Sequence, residues 1–362
     1  MINRIFILLP SDIPSGPVKG AYALANSLAD HFMVTMVTIK RGSGANARID
    51  SRVRRICLSD HSTQVYGKLK YYKSLLLDAG GPAQTVSLSL CLSADIFNIL
   101  CKSSASTLSS VRGNLFVNYQ HDFGLLGPAL AFIHIFALRR IQNVIAMNSA
   151  MATQIHTITG RKPSVISNFI DEPMYKSVEC SKSHFGSYRF LFLGSLSSRK
   201  QPAVIINALK KIRDLGVDAS LNYVGSGPEV TTIEKLADEL RIRDYISISG
   251  FVSRPEILIV ESDVLVLPSL SEGISRAAME ALFLGVPCVL RDVDASSELI
   301  IEGKNGSIFL DEAQLASSML IAAEISRSTE YRQCLLPHKF RQGCVTGQYL
   351  ELLSSINLYY QK

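Results

Sequence analysis

Short apolar runs rich in Ile, Val, Leu and Phe recur along this chain, and stretches of helical spacing lie between them. Most of the runs end in a turn carrying Gly, Ser or Pro. A chain that keeps switching between a two-residue and a 3.6-residue period is held to a parallel sheet with helices packed on its faces. Residues 4–9 (RIFILL) read as the first strand. The segment PSDIPSGPVKG then sets Gly16 and Gly20 ahead of a helix over 21–31, and 34–39 is the next strand. This order opens a doubly wound α/β domain, in which ligands bind at the carboxyl ends of the strands.

The alternation continues. Residues 96–100 read as strand or helix, and 115–118 as a strand running into the loop YQHDFG. An apolar helix leads to a strand over 143–147, Asn148 and Ser149 look like a helix N-cap, and 165–167 is a further strand. Periodicity is lost over 168–182, around Pro173, which places a domain boundary there. The second half has strands over 188–193, 220–224, 245–249, 264–267 and 288–291, with helices over 203–215, 231–240 and near 255–261. The expectation is two domains, 1–170 and 171–344, with a C-terminal helix within 345–362 packing back on the first.

With 362 residues, 47% hydrophobic and 19% charged, the chain can fill two ordinary cores and is unlike a disordered one. The apolar run before Pro10 suits a strand better than a signal-peptide core. The stretch 125–138 is interrupted by Gly127, Pro128 and His134 and falls short of a membrane span. Seven scattered cysteines with no C-x-x-C pair fit a reducing cytoplasm and argue against disulfides and zinc. Residues 1–165 carry 17 Lys and Arg against 7 Asp and Glu, so the first half is set to meet something anionic. A bilayer surface, a lipid-linked diphosphate and nucleic acid all qualify. The basic residues of 42–73 (Arg48, Arg52, Arg54, Arg55, Lys68, Lys70, Lys73) are either a solvated face or a lipid-docking one.

The chemistry concentrates in LPSLSEGISRAAMEALFL, residues 267–284. It reads as the end of a buried strand, a small-residue turn and a helix. Glu272 lies in the turn and Glu280 inside the helix, roughly 12 Å further along the helical rise. Gly273 permits close approach of a ligand, and the amides from Ile274 and Ser275 onward make an anion-binding helix start. On spacing alone, the two acids could equally be a helix-capping acid and a solvated face.

The pieces FLGSLSSRKQP, YVGSGPE, ISGFVSRPEI, SDVLVLPSLSEGISRAAMEAL, LGVPCVLRDV and SELIIEGKNG occur in the order of one family. The second half resembles glycosyltransferase family 4, the retaining GT-B sugar transferases; the first half resembles it more loosely, through Gly16–Gly20, YQHDFG and ISNFID. The resemblance implies two Rossmann-like domains facing across a cleft. It also implies that Glu280 accepts hydrogen bonds from the ribose and Glu272 from donor-sugar hydroxyls, since a carboxylate accepts two at once. Lys200 with Arg199 would stabilise the departing diphosphate. Gly225 and Gly227 would let backbone approach the nucleotide, Val252 would meet the base, and His121 would lie near the donor sugar and the attacking hydroxyl. Ser195 departs from the pattern, standing where the family often has arginine; Arg199 is the candidate substitute. Asp292 and Asp294 form a D-x-D string, read as surface rather than metal ligands.

The activity implied is a retaining, metal-independent transfer of a sugar from a nucleotide diphosphate, uridine preferred over guanosine, to a saccharide hydroxyl on a polyprenyl-diphosphate or other lipid. The setting implied is bacterial surface polysaccharide or O-antigen assembly, in the cytoplasm or peripheral on the inner membrane. No cofactor, metal or nucleic acid is expected. A nucleotide-sugar epimerase of the same fold and a non-enzymatic basic nucleic-acid binder are the rivals. The absence of aromatic-rich basic strips counts against the second, and no G-x-G-x-x-G follows the first strand to suggest a dehydrogenase.

Overall fold

The computed structural model describes residues 2–13, 15–42, 49–178, 186–293, 295–328 and 333–359. Arg48 of the basic segment, the end of the expected linker through Lys182, and Asp294 lie outside the described residues. The chain divides into two compact units, Met1–Asp171 with Lys339–Lys362, and Glu172–His338.

The first unit is a seven-stranded parallel sheet. Its elements are β1 (Arg4–Leu9), α1 (Gly16–Leu28), β2 (Met33–Thr38), β3 (Arg54–Cys57), α2 (Val65–Asp78), β4 (Thr85–Ser89), α3 (Leu92–Leu100), β5 (Ser106–Val111), α4 (Leu115–Phe123), α5 (Gly127–Ala137), β6 (Asn143–Ala146), α6 (Ser149–Thr159) and β7 (Ser164–Val165). The strand order is β3-β2-β1-β4-β5-β6-β7. Both faces are covered, and β1 shows how. Ile5, Ile7 and Leu9 pack into one apolar cluster with Tyr22 and Leu24 of α1, while Phe6 and Leu8 point the other way, into a cluster with Tyr72 and Leu76 of α2 and Phe97 of α3. This is the two-sided burial that a parallel sheet requires.

The second unit contains β8 (Tyr188–Leu193), α7 (Val204–Asp214), β9 (Ala219–Val224), α8 (Val230–Glu239), β10 (Ile246–Gly250), α9 (Pro255–Val260), β11 (Val264–Leu267), α10 (Arg276–Phe283), β12 (Cys288–Arg291), α11 (Ser296–Leu299), β13 (Gly306–Phe309) and α12 (Glu312–Arg327). Its six parallel strands run β10-β9-β8-β11-β12-β13. The last helix, α13 (Gln342–Tyr359), returns to the first unit, where Val345, Tyr349, Leu353 and Ile356 join the β1–α1 cluster.

Two readings of the first half are corrected, and the open one at 96–100 is decided. Gly16 and Gly20 are helical, not part of a loop: Pro17 in the first turn presets its own φ and starts α1 earlier than the apolar pattern suggests. Residues 96–100 belong to helix α3, whose buried Ala94, Phe97 and Asn98 have i, i+3, i+4 spacing. Residues 115–118 open helix α4, with the Asn114 side chain accepting from the Val117 amide. The strands that fill these places, TVSLS and STLSSV, are fully buried but rich in Ser and Thr. Several of their polar groups are satisfied inside: Asn98 Nδ2 donates to the carbonyls of Ser87 and Leu108 at 2.9 and 3.0 Å, and Ser89 Oγ donates to Asp95 at 2.6 Å. The expected Asn148 cap is present, accepting from the Met151 amide at 2.8 Å.

Candidate functional site

In the second sheet the chain leaves β8 toward β9 and leaves β11 in the opposite direction, toward β12. β8 and β11 are neighbours, so the loops at their carboxyl ends diverge from one point. Such a switch point is where open α/β sheets bind ligands. The loop after β8 carries Ser195, Arg199 and Lys200. The loop after β11 carries Ser269 to Ser275 and leads into α10.

These two loops are stitched together. Leu270 N donates to the Arg199 carbonyl at 2.9 Å, and Arg199 Nη1 donates to the Ser271 carbonyl. Lys200 Nζ donates to Glu272 Oε1, which also accepts from Ser269 Oγ at 3.0 Å. Ser269 and Ser271 are buried, and the Lys200 and Glu272 side chains keep 13% and 19% of their surface. The lysine and the acid therefore sit together at the switch point, still reachable from solvent. Arg199 spends one nitrogen on holding the turn. Ser195 is exposed on the same loop.

Ser275 caps α10, its Oγ accepting from the Ala278 amide at 3.4 Å. Helix formation therefore starts at Arg276, two residues later than Ile274, and the positive end of the helix dipole faces the Glu272 turn. A pocket here is lined by Ser269, Glu272, Gly273, Ile274 and Ser275 on one side and by Arg291, Val293, Ala295 and Ser296 on the other. Glu280 lies deeper, 5% exposed, with Arg276 Nη2 at 3.7 Å one helical turn before it. The Tyr175 hydroxyl also bonds to Glu280. Burial, then the neighbouring Glu280 charge, pushes the Tyr175 phenol far above its ordinary value, so it stays a donor.

Gly225 and Gly227 have a structural reason of their own. A Cβ on Gly225 would lie 1.8 Å from the Gly194 carbonyl oxygen, and one on Gly227 would lie 2.1 Å from that of Leu196. The two turns pack backbone on backbone, with Gly194 N donating to Val224 O and Leu196 N to Ser226 O, both at 2.9 Å. The glycines thus seat the Lys200 turn. Val252 is half-buried just after β10. Asp292 is exposed at the end of β12.

His121, Gly16 and Gly20 belong to the other unit. His121 was expected in a loop after a strand; it sits in the last turn of α4, 43% exposed at its side chain, with Nδ1 3.5 Å from Asp122. Gly16 is the first residue of α1, and Gly20 is buried within it. Sequence reasoning missed Tyr175, Arg276 and Arg291. Arg276 was visible as the i−4 partner of Glu280. Arg291 ends a strand and donates to the Pro268 carbonyl at 3.1 Å, tying β12 to the turn. Tyr175, over a hundred residues from Glu280, left no local signal.

Residues 181–333 match the model of the family described as glycosyl transferases group 1. The chain is 29% identical over 195 residues to N-acetyl-alpha-D-glucosaminyl L-malate synthase of Bacillus anthracis, covering 51% of each protein. It is 30% identical over 141 residues to the putative colanic acid biosynthesis glycosyltransferase WcaL of Salmonella typhimurium, covering 36% of this chain and 34% of that one. The matches thus span about half or less of these curated relatives. Among solved structures, Anabaena HepE in complex with UDP and glucose superposes with a TM-score of 0.78 at 18% identity, covering 98% of this chain and 100% of that one. The lipopolysaccharide outer core galactosyltransferase WaaB gives 0.71 at 14% identity, covering 98% and 99%. At such identities the likeness concerns the fold, which is GT-B.

Proposed function

We propose, from the match of residues 181–333 to the glycosyl transferases group 1 model, that this chain transfers a sugar from a nucleotide diphosphate to a hydroxyl of a saccharide acceptor. The observation that carries the reading is the Lys200–Glu272 pair at the β8–β11 switch point, beside the start of α10. As the glycosidic bond to the diphosphate breaks, negative charge grows on the leaving oxygen. Lys200 and the positive end of α10 stabilise that charge. Glu272 holds hydroxyls of the donor sugar. Glu280, oriented by Arg276 and Tyr175, accepts from the ribose.

The finer assignment is also a proposal. Configuration is retained by front-face attack assisted by the leaving phosphate, with no metal or cofactor taking part. The donor is a UDP-sugar; the UDP bound to HepE supports this choice. The acceptor is carried on a lipid at the cytoplasmic face of a membrane, in assembly of a bacterial surface polysaccharide or O-antigen. The likenesses to WcaL and WaaB support that setting.

Thermal stabilisation across a panel of UDP- and GDP-sugars, followed by product analysis with the stabilising donor, tests the reading. A new glycosidic bond of unchanged anomeric configuration is expected. An epimerised sugar with no acceptor product would establish the epimerase instead. Stabilisation by no nucleotide sugar, with salt-sensitive binding of DNA or RNA, would overturn the enzyme reading altogether.

A further inference from the structure

Residues Leu115–Arg140 are, among the described residues, the one stretch long and apolar enough to cross a membrane. They do not run straight. Gly124, at φ 57° and ψ −130°, ends α4, and a turn brings α5 back against it. The return is tight: a Cβ on Gly127 would lie 2.3 Å from the Tyr119 carbonyl oxygen. Tyr119 OH and His134 Nδ1, 2.9 Å apart, hold the two arms together, and His134 Nε2 lies 2.8 Å from buried Asp95. The stretch is a fixed hairpin, not a span.

Its outer surface is unusual for a helix pair on a folded domain. Apart from His134, every residue of α5 is apolar. Gly127, Ala131, His134 and Ile135 are buried, whereas Phe132, Ile133 and Phe136 on the opposite stripe are 51%, 62% and 48% exposed. At the tip, Phe123, Leu125 and Leu126 are 53%, 101% and 69% exposed. Six large apolar side chains exposed on one hairpin mark an interaction site. The exposed Arg139 and Arg140 follow directly, and Arg161 and Lys162 join them: Arg161 donates to the carbonyls of Arg139, Ile141 and Gln142. Asp122 is the hairpin's one acid. By contrast, the basic residues of 42–73 are partly neutralised. Arg52 pairs with Asp50 and Asp30, Arg55 with Asp12, and Lys68 is buried.

We propose that the α4–α5 hairpin is a membrane-docking element. Its tip and the Phe132–Ile133–Phe136 stripe enter the outer part of an anionic bilayer, and Arg139, Arg140, Arg161 and Lys162 engage the headgroups. The inference rests on the lipid-borne acceptor proposed above, and it names the surface that would bring the enzyme to it.

The test uses the full chain and sedimentation with phosphatidylglycerol–phosphatidylethanolamine vesicles, with phosphatidylcholine vesicles as comparison and no nucleotide sugar present. Binding to the anionic vesicles, weakened by salt, is expected. The double variant Phe132→Glu, Ile133→Glu should lower it at least tenfold, and Arg140→Gln severalfold. Circular dichroism and turnover on a water-soluble acceptor should be unchanged in both. Equal binding by wild type and double variant, or no binding by wild type, overturns the proposal. So does a concentration-dependent dimer that the double variant abolishes, which would make the patch a self-association surface. Vesicle binding without any sugar transfer would leave the docking surface standing and remove the transferase reading.

Discussion

Gly227→Ala probes how the site is held. The new methyl carbon would lie 2.1, 2.6 and 2.8 Å from the Leu196 O, C and N atoms. Side-chain Cβ atoms do not approach closer than 3.0 Å, so something must move by close to an ångström. No flexible side chain is available to give way, since the obstacle is backbone and Leu196 is itself fully buried. The shift strains the bonds from Leu196 N to Ser226 O and from Glu229 N to Leu196 O. Overpacking of this kind costs about 1–3 kcal/mol, and one weakened hydrogen bond about 1 kcal/mol more. The variant should therefore unfold about 2–4 kcal/mol more easily in urea, each kcal/mol lowering Tm by about 2–4 °C. The Lys200 turn begins one residue beyond Leu196, with Lys200 N bonded to Ser197 O at 2.9 Å. Displacing it by nearly an ångström should reduce turnover on the order of 100-fold. Gly347→Ala is the control. It adds the same methyl to α13 with nothing within 4 Å, and should be stabilising by about 0.5–1 kcal/mol with full activity. If Gly227→Ala matches the wild type in stability and turnover, the turns do not support each other as argued.

Three other outcomes follow from the same geometry. Lys200→Ala should reduce turnover by about 10²–10³ with little change in fold, as expected when one charge-stabilising donor is lost; near-wild-type transfer would disqualify the lysine. Glu280→Ala should weaken UDP binding in calorimetry by at least about tenfold, a charge-assisted hydrogen bond being worth about 1.5–3 kcal/mol; unaltered affinity would remove Glu280 from the ribose site. Arg52, hydrogen-bonded to Asp50, holds that carboxyl down at about 2 against the usual 3.8. The pair's contribution to stability is thus complete above about pH 4 and fades as pH falls through 2. An NMR titration should show Arg52→Gln returning Asp50 toward its ordinary midpoint, and an unchanged midpoint would refute the pairing.

The sequence by itself determined the class of fold and the chemical types at the site. Strand and helix periods are local, so β8, β11 and β12 could be read to the residue, and α7 and α8 to within a residue or two. The turn that carries Glu272 ahead of a helix carrying Glu280 could be read in the same way. Where local pattern and burial disagree, reading failed. TVSLS and STLSSV look polar, yet they are buried, with distant groups meeting their polar atoms: Asn98 and Asp95 of α3 bond the Ser89 hydroxyl and Asn98 the Ser87 carbonyl, while Tyr72 meets the Ser87 hydroxyl. LFVN looks like a strand but is helical, because Asn114 caps it and α5 packs along it.

Only the tertiary structure decided what meets what. Lys200 and Glu272 are 72 positions apart, and nothing near either one specifies the other; they meet because β8 and β11 pair side by side. Tyr175 reaches Glu280 in the same way, through folding. Gly225 and Gly227 could be read from sequence as room for a ligand, whereas in three dimensions they are room for another stretch of backbone. The physical reason is the range of the forces involved. Hydrophobic period and capping act within a few residues, while strand order and the close contact of turns are settled only when the whole sheet has assembled.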